Sequence, residues 1–399
     1  MSIPRRRTCL GVLVATLSSL ALLLSGCTTS TDDAGRSRDC VTDYDAARDY
    51  FPDKATVEYA KNFTLAYHPN YAVLTVKQPF PGGPPQRYVL VRCGTPAPDP
   101  TGDLAGAQTV EIPVRTVYSG STTQLPWFTE LGVLDALTGA ADTSMITSEQ
   151  VRARVDEGKV TQYATGATVD TERVLAGRPD VLLTDGTENP AYAVLRRAGI
   201  PVIAIADWLE AGPLATAEWI KVLGVLTGTT AKAQEVFGGI AQRYRALAEK
   251  ARGVPATRIL YGADFQGTWT VPGADSSAGT MIRDAGGDWP WSDRSGTSVH
   301  LSFEEVVTRA GDVPIWLVSD NQWTTVADVE KVDPRYRNLA AVATGQVWNA
   351  NLAMGPTGGN DFFESGSARP DLVLADTVAI LHPELLPDHT FVYYRRLGR

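Results

Sequence analysis

Two stretches of alternating strand and helix patterns flank one long, uninterrupted helix pattern, and that order narrows the fold more than any other feature. The helix reads from Thr230 to Lys250. Val236, Phe237, Ile240, Tyr244 and Leu247 recur on one face at helical spacing. At about 1.5 Å per residue it spans about 31 Å. Gly238 and Gly239 weaken its middle by roughly 1 kcal/mol each. On its N-terminal side, strand patterns at Val110–Val117, Asp180–Thr184 and Pro201–Ile205 are separated by helix patterns at Thr122–Leu131, Glu149–Val155, Glu172–Ala176 and Pro190–Ala198. Leu214–Leu226 adds a further helix. On its C-terminal side the rhythm resumes with strands at Arg258–Tyr261, Ile315–Val318 and Gln346–Trp348, and helices at Phe303–Arg309 and Pro370–Leu381. Strands alternating with helices predict parallel sheets covered on both faces.

The chain begins with a different kind of segment. Arg5, Arg6 and Arg7 precede an apolar run from Leu10 to Leu24, which at 15 residues is short for a bilayer-spanning helix. Leu24-Ser25-Gly26-Cys27 follows, and the arrangement resembles a bacterial lipoprotein signal. It predicts removal of residues 1–26, diacylglycerol on the Cys27 sulfur, and a protein tethered to the cell membrane on its extracytoplasmic face. At roughly 0.8 kcal/mol per buried CH₂, two or three acyl chains hold firmly. The Arg6-Arg7 pair also permits twin-arginine export. Small polar residues such as Thr28, Thr29, Ser30 and Asp32 then predict a flexible tether over 27–45.

Loss of the signal removes three arginines and no acid, which moves the formal charge from −9 to −12. No basic cluster points to nucleic acid. With Cys9 lost and Cys27 acylated, only Cys40 and Cys93 remain in an oxidising compartment. The pair predicts a disulfide, with two unpaired thiols as the alternative. The four histidines, His68, His300, His382 and His389, are scattered, which argues against a metal centre built from imidazoles.

Residues 46–108 read as a β-rich extension, with strand patterns around Phe63–Tyr67, Tyr71–Val76 and Tyr88–Val91 and turn signals at His68-Pro69-Asn70 and Pro81-Gly82-Gly83-Pro84. The main fold then divides into an N-lobe over 109–228, a bridging helix over 229–252 and a C-lobe over 253–399. The lobes echo each other: Glu172 and Asp180 are spaced as Glu304 and Asp312, each pair framing a helix and the approach to a strand.

Three segments carry a family resemblance: Asp170-Thr171-Glu172-Arg173-Val174-Leu175-Ala176-Gly177-Arg178-Pro179-Asp180-Val181, then Ala217-Glu218-Trp219-Ile220-Lys221-Val222-Leu223-Gly224, and Ala368-Arg369-Pro370-Asp371-Leu372-Val373-Leu374-Ala375-Asp376 with His382-Pro383-Glu384. From roughly Val110 to Leu386 the chain resembles the substrate-binding proteins of ABC importers for iron–siderophore complexes, haem and cobalamin. The resemblance implies an α/β fold of two Rossmann-like lobes joined by one long α-helix, with the ligand between them. The β-rich segment is additional to the usual pattern. The implied partners are an ABC permease with its cytoplasmic ATPase and a small-molecule iron complex, with no covalent cofactor.

The resemblance also implies one docking glutamate per lobe for the permease, at Glu172 and Glu304. Local reading agrees on their placement. Ser302-Phe303-Glu304-Glu305 has capping-box form, in which Ser302 caps, Glu305 reaches back and Glu304 is left free. Asp170 as a cap puts Glu172 at the equivalent second helical position. Acids in a first turn also suit the helix dipole without any partner.

Aromatic walls suit a large, flat or wrapped ligand. Tyr118, Tyr163, Trp269 and Phe362 match ligand-facing segments of cobalamin binders, and Trp127, Trp289, Trp291 and Trp323 are further candidates. Core packing is the alternative for each. Trp219 and Trp316 lie inside predicted elements and are assigned to the core. Asp185 stands where cobalamin binders carry tryptophan, which counts against cobalamin. Asp185 and Asp361 are candidate acceptors, and Arg294 and Arg335 candidate partners for anionic groups. A chelate satisfies its own iron without protein histidine, so an iron–siderophore complex is favoured over haem or cobalamin. An exported enzyme on a two-lobed scaffold is the competing class; no Gly-x-Ser-x-Gly, His-Glu-x-x-His or P-loop supports it.

Overall fold

A computed structural model describes residues 40–398. The signal segment, Cys27 and most of the tether lie outside the described residues. The disulfide joins Cys40 to Cys93 with their Cα atoms 4.9 Å apart. The tether expected to run to residue 45 is therefore already fastened at Cys40.

The β-rich extension forms a four-stranded sheet in the order Phe63–Tyr67, Tyr71–Val76, Gln86–Arg92, Gln108–Ile112. Its first three strands pair antiparallel, and the fourth runs parallel to the third, with Leu90 opposite Val110. The strand expected to open the N-lobe at Val110 thus belongs to the extension. Pro113 follows it, and a residue without an N–H cannot continue the ladder. The N-lobe starts instead at Val117.

The N-lobe sheet is wholly parallel, in the order Val202–Ile203, Val181–Leu183, Val117–Ser119, Leu137–Ala140, Thr161–Gln162. The C-lobe sheet runs Gly287–Asp288, Thr257–Tyr261, Ile315–Val318, Val347–Asn349, Arg395–Arg396, with only the last strand antiparallel. Both sheets are α/β units, but their strand orders differ. The repeated Glu-to-Asp spacing still marks similar local work. Asp180 accepts from the backbone N–H groups of Arg115 and Thr116 at the start of the N-lobe's first strand. Asp312 pairs at 2.8 Å with Arg258, in the C-lobe's first strand.

The bridging helix runs Thr230–Arg252, about 34 Å long at 1.5 Å per residue. Ala233, Phe237, Ile240, Tyr244, Ala248 and Ala251 form its buried stripe. The helix before it, Ile220–Thr227, approaches so closely that a Cβ on Gly224 would lie 2.5 Å from the Ala233 Cβ. Only glycine fits there.

Buried acids fasten the extension to the N-lobe. Glu218, fully buried, accepts from the backbone N–H groups of Glu58, Tyr59 and Ala60 at 2.7–2.9 Å. Glu210 accepts from those of Lys61 and Asn62 and from the Trp219 indole. Lys221 neutralises Glu218 at 2.6 Å and donates to the Thr56 carbonyl. At the edge of the N-lobe sheet, the Gln108 side-chain amide both donates to and accepts from the Val202 backbone. The Tyr88 hydroxyl accepts from the Ala204 N–H. The extension thereby covers an edge that would otherwise present unpaired groups.

Candidate functional site

In parallel α/β sheets, ligands bind beyond the carboxyl ends of the strands. Here an inter-lobe cavity of about 350 Å³ is lined by Tyr261 at the carboxyl end of a C-lobe strand and by Trp208, five residues beyond an N-lobe strand. From the N-lobe comes Trp208, in the turn after strand Val202–Ile203. Its backbone N–H donates to the Asp207 carboxylate at 3.0 Å, and its indole N–H to the Asp185 carbonyl at 3.1 Å. These two bonds fix a side chain that is 52% exposed, far more than the other tryptophans. Asp207 itself is buried, and loss of hydration raises its pKa to about 6.

The C-lobe supplies the facing wall. Tyr261 ends strand Thr257–Tyr261, and Leu317 lies in the adjacent strand. Phe362 and Phe363 sit on a loop shaped by Asn360, whose side chain accepts from the Phe362 N–H and donates to the Ala350 carbonyl. Tyr394 meets Phe362 edge-on at 5.7 Å. Buried Asp376 places Tyr394 by accepting from the backbone N–H groups of Val392, Tyr393 and Tyr394, while His389 closes the cluster at 2.6 Å. Phe363 is 50% exposed, so each lobe offers the cleft one open aromatic face.

One side of the cleft is bolted shut. The Glu364 carboxylate, from the C-lobe, accepts from the backbone N–H groups of Thr147 and Ser148, at the start of N-lobe helix Glu149–Asp156. Burial raises the Glu364 pKa, and those two donors oppose the rise. Thr147 donates its hydroxyl to Asp361 at 2.7 Å, and Arg369 pairs with Glu130 at 3.5 Å.

A larger cavity, about 800 Å³, lies on the bridging-helix side among Tyr59, Lys61, Pro213, Arg245 and Glu249. No strand of either lobe's parallel sheet lines it. The smaller cavity, lined by Tyr261 and Trp208, is the candidate site.

Of the residues singled out from the sequence as cleft walls, Phe362 lines this cavity. Tyr118 and Tyr163 stack on each other at 5.3 Å inside a buried N-lobe cluster, and burial raises both of their pKa values. Trp269 is fully buried against Trp316 and Tyr336. Trp289 and Trp291 are buried as well, the first donating its indole N–H to the Pro272 carbonyl. Trp127 and Trp323 are also core. These rings fill the lobes and present no face to the cleft. Asp185 reaches the site through its backbone, holding Trp208, while its carboxylate accepts from Thr187. Arg335 stands outside the cleft, paired with Asp333 and Glu304.

Trp208, Tyr261, Phe363 and Tyr394 escaped sequence reading. Trp208 had a usable signal: it follows the strand pattern Pro201–Ile205, where a parallel sheet aims its loops at a ligand. Tyr394 had none, because only the Asp376 cluster brings it to the cleft.

Glu172 and Glu304 are both exposed second residues of their helices. Asp170 caps the first, accepting from the Arg173 N–H. Ser302 and Glu305 form a complete capping box on the second. Glu304 is not free, since Arg335 lies 3.1 Å from it in a solvent-exposed pair of the kind that water screens strongly.

The profile of the periplasmic binding protein family matches residues 117–351. An uncharacterized lipoprotein of Methanocaldococcus jannaschii is 22% identical over 366 residues, 85% of each chain. A periplasmic binding protein of Veillonella parvula superposes with a TM-score of 0.57 at 16% identity, over 78% of this chain and 98% of its own. A periplasmic haem-binding protein of Vibrio cholerae gives 0.52 at 18% identity, over 65% and 98%. Solved structures of a vitamin B12 binder and of an Fe3+-hydroxamate transport system share the fold. The solved structures are of substrate-binding transport proteins rather than enzymes. With more than half of its length matched, this chain belongs to the periplasmic binding protein family, the extracytoplasmic substrate-binding components of ABC importers.

Proposed function

We propose that this protein is held to the outer face of the cytoplasmic membrane by lipid on Cys27, captures a ferric siderophore-like complex in the inter-lobe cleft, and presents it to an ABC permease through Glu172 and Glu304. The observation that carries the reading is the pair of open aromatic side chains, Trp208 from the N-lobe and Phe363 from the C-lobe, that line one inter-lobe cavity. Rigid rings bury much area at low entropic cost, which suits a chelate wrapped around its metal. No histidine is among the described residues that line the cavity, and a chelate needs none. The lipoprotein relative supports the anchor. Titration of tryptophan fluorescence with ferric chelates, haem and cobalamin tests the cleft. Saturable quenching by a ferric chelate is expected, and no response to any of them contradicts the reading. Labelled fatty acid should enter the wild type and not Cys27→Ala.

A further inference from the structure

The cavity on the bridging-helix side, at about 800 Å³, has more than twice the volume of the inter-lobe one. Four parts of the chain wall it: the β-rich extension through Tyr59 and Lys61, the N-lobe through residues 209–215, the bridging helix through Arg245 and Ala248, and the C-lobe through Thr280 and Asp284. The extension's wall is fixed in place, because the Glu210 carboxylate holds the backbone N–H groups of Lys61 and Asn62 at 2.9 Å. The Tyr59 ring is set edge-on against Phe237 of the bridging helix at 5.7 Å.

The charges here are unevenly matched. Among the described residues, every acid that lines the cavity already has a donor. Glu210 has those two N–H groups and the Trp219 indole, Asp284 has the Tyr244 hydroxyl at 2.8 Å, and Glu249 has the Arg252 guanidinium. Two of the cations are less well served. The Lys61 ammonium reaches the Glu58 carbonyl and the Arg245 Nε the Ala241 carbonyl of its own helix, both at 3.3 Å. Neither pairs with a carboxylate among the described residues. The rest of the lining is largely apolar, with Tyr59, Pro213, Leu214 and Ala248. A neutral apolar guest would leave the two cations without a counter-charge, and a bare inorganic anion would leave the apolar surface wet. A guest with an acidic head and an apolar body satisfies both.

We propose that this cavity is a second small-molecule site, for an organic anion whose carboxylate, phosphate or sulfonate head pairs with Lys61 and Arg245 and whose apolar body covers Tyr59, Pro213 and Leu214. The extension supplies one wall, so the site belongs to this chain's addition to the two-lobed body.

Fluorescence titration of the purified protein with 1-anilinonaphthalene-8-sulfonate and with its uncharged parent, N-phenyl-1-naphthylamine, presents one ring system with and without an acidic head. The sulfonate is expected to bind saturably and at least tenfold more tightly than the parent. Arg245→Ala and Lys61→Ala should each weaken it at least fivefold while the unfolding midpoint stays in place, since both side chains are exposed. Phe363→Ala, in the inter-lobe cleft, should leave it within twofold. A parent that binds as tightly as the sulfonate overturns the anionic head, and so does binding indifferent to both cation variants. Loss of binding in Phe363→Ala puts the dye in the cleft and overturns the second site, as does the absence of saturable binding. The ferric-chelate titration is a separate measurement, and its failure leaves this result intact.

Discussion

Asp207 and Asp376 are both buried beside the cleft, and their partners make them behave differently. Asp207 accepts only from nearby backbone N–H groups, and burial lifts its pKa from 3.8 to about 6. Between those values the folded state binds more protons than the unfolded one, so stability falls as pH rises from about 4 to 6. Unfolding in urea at pH 4.5 and pH 7 should show a loss on the order of 2–3 kcal/mol from this group, and Asp207→Asn should flatten it. An unchanged slope in the variant would rule Asp207 out as its source. Asp376 is the better satisfied of the two, with three backbone donors and His389. Asp376→Ala leaves those donors buried and unpaired, so a loss of about 2–4 kcal/mol is expected in chemical denaturation. Because the same contacts set Tyr394, ligand affinity should fall with it.

The clamp between the extension and the N-lobe sits one level up, in how elements are joined. Glu218 and Lys221 form a buried pair that also bonds to the backbone of the segment 56–60, while the Lys221 ammonium lies over the Phe237 ring. Removing one partner strands the other, and breaking such a pair typically costs about 3–5 kcal/mol. Glu218→Ala should show that loss and open the segment before Phe63 to protease, whereas an exposed control such as Glu235→Ala should do neither. Elements of this kind were partly legible. The bridging helix, the strand–helix alternation and the Ser302 capping box are written in local spacing, which the chain carries residue by residue. The clamp is not, because Glu218 meets partners about 160 positions away. The tryptophans failed for the same reason. Trp269 is core because Trp316, Trp323 and Tyr336 converge on one aromatic cluster from separate elements, and nothing local to Trp269 records that. Trp208 is exposed because its turn leaves the sheet at the cleft, a consequence of topology more than of its neighbours in sequence.

For the molecule as a whole, the lobes are joined by the bridging helix and by a set of side-chain contacts between them, the Glu364 bolt, the Thr147–Asp361 bond and the Arg369–Glu130 pair among them. That arrangement favours small closing motions over a wide hinge. It also keeps a fixed relation between the helix starts that carry Glu172 and Glu304, as the proposed docking on a permease requires. Charge reversal at either, Glu172→Arg or Glu304→Arg, should leave ligand affinity within about twofold and the fold intact, yet reduce uptake by reconstituted importer at least tenfold, since rim charges govern encounter and orientation. Normal uptake by both variants would remove these residues from docking. The most direct test of the central claim is a crystal structure of the protein soaked or co-crystallised with a ferric siderophore. The account predicts density for the chelate between Trp208 and the Phe362–Phe363 loop, within reach of Tyr261 and Tyr394. Density in the cavity beside Tyr59 and Arg245, with the inter-lobe cleft filled only by solvent, would contradict it.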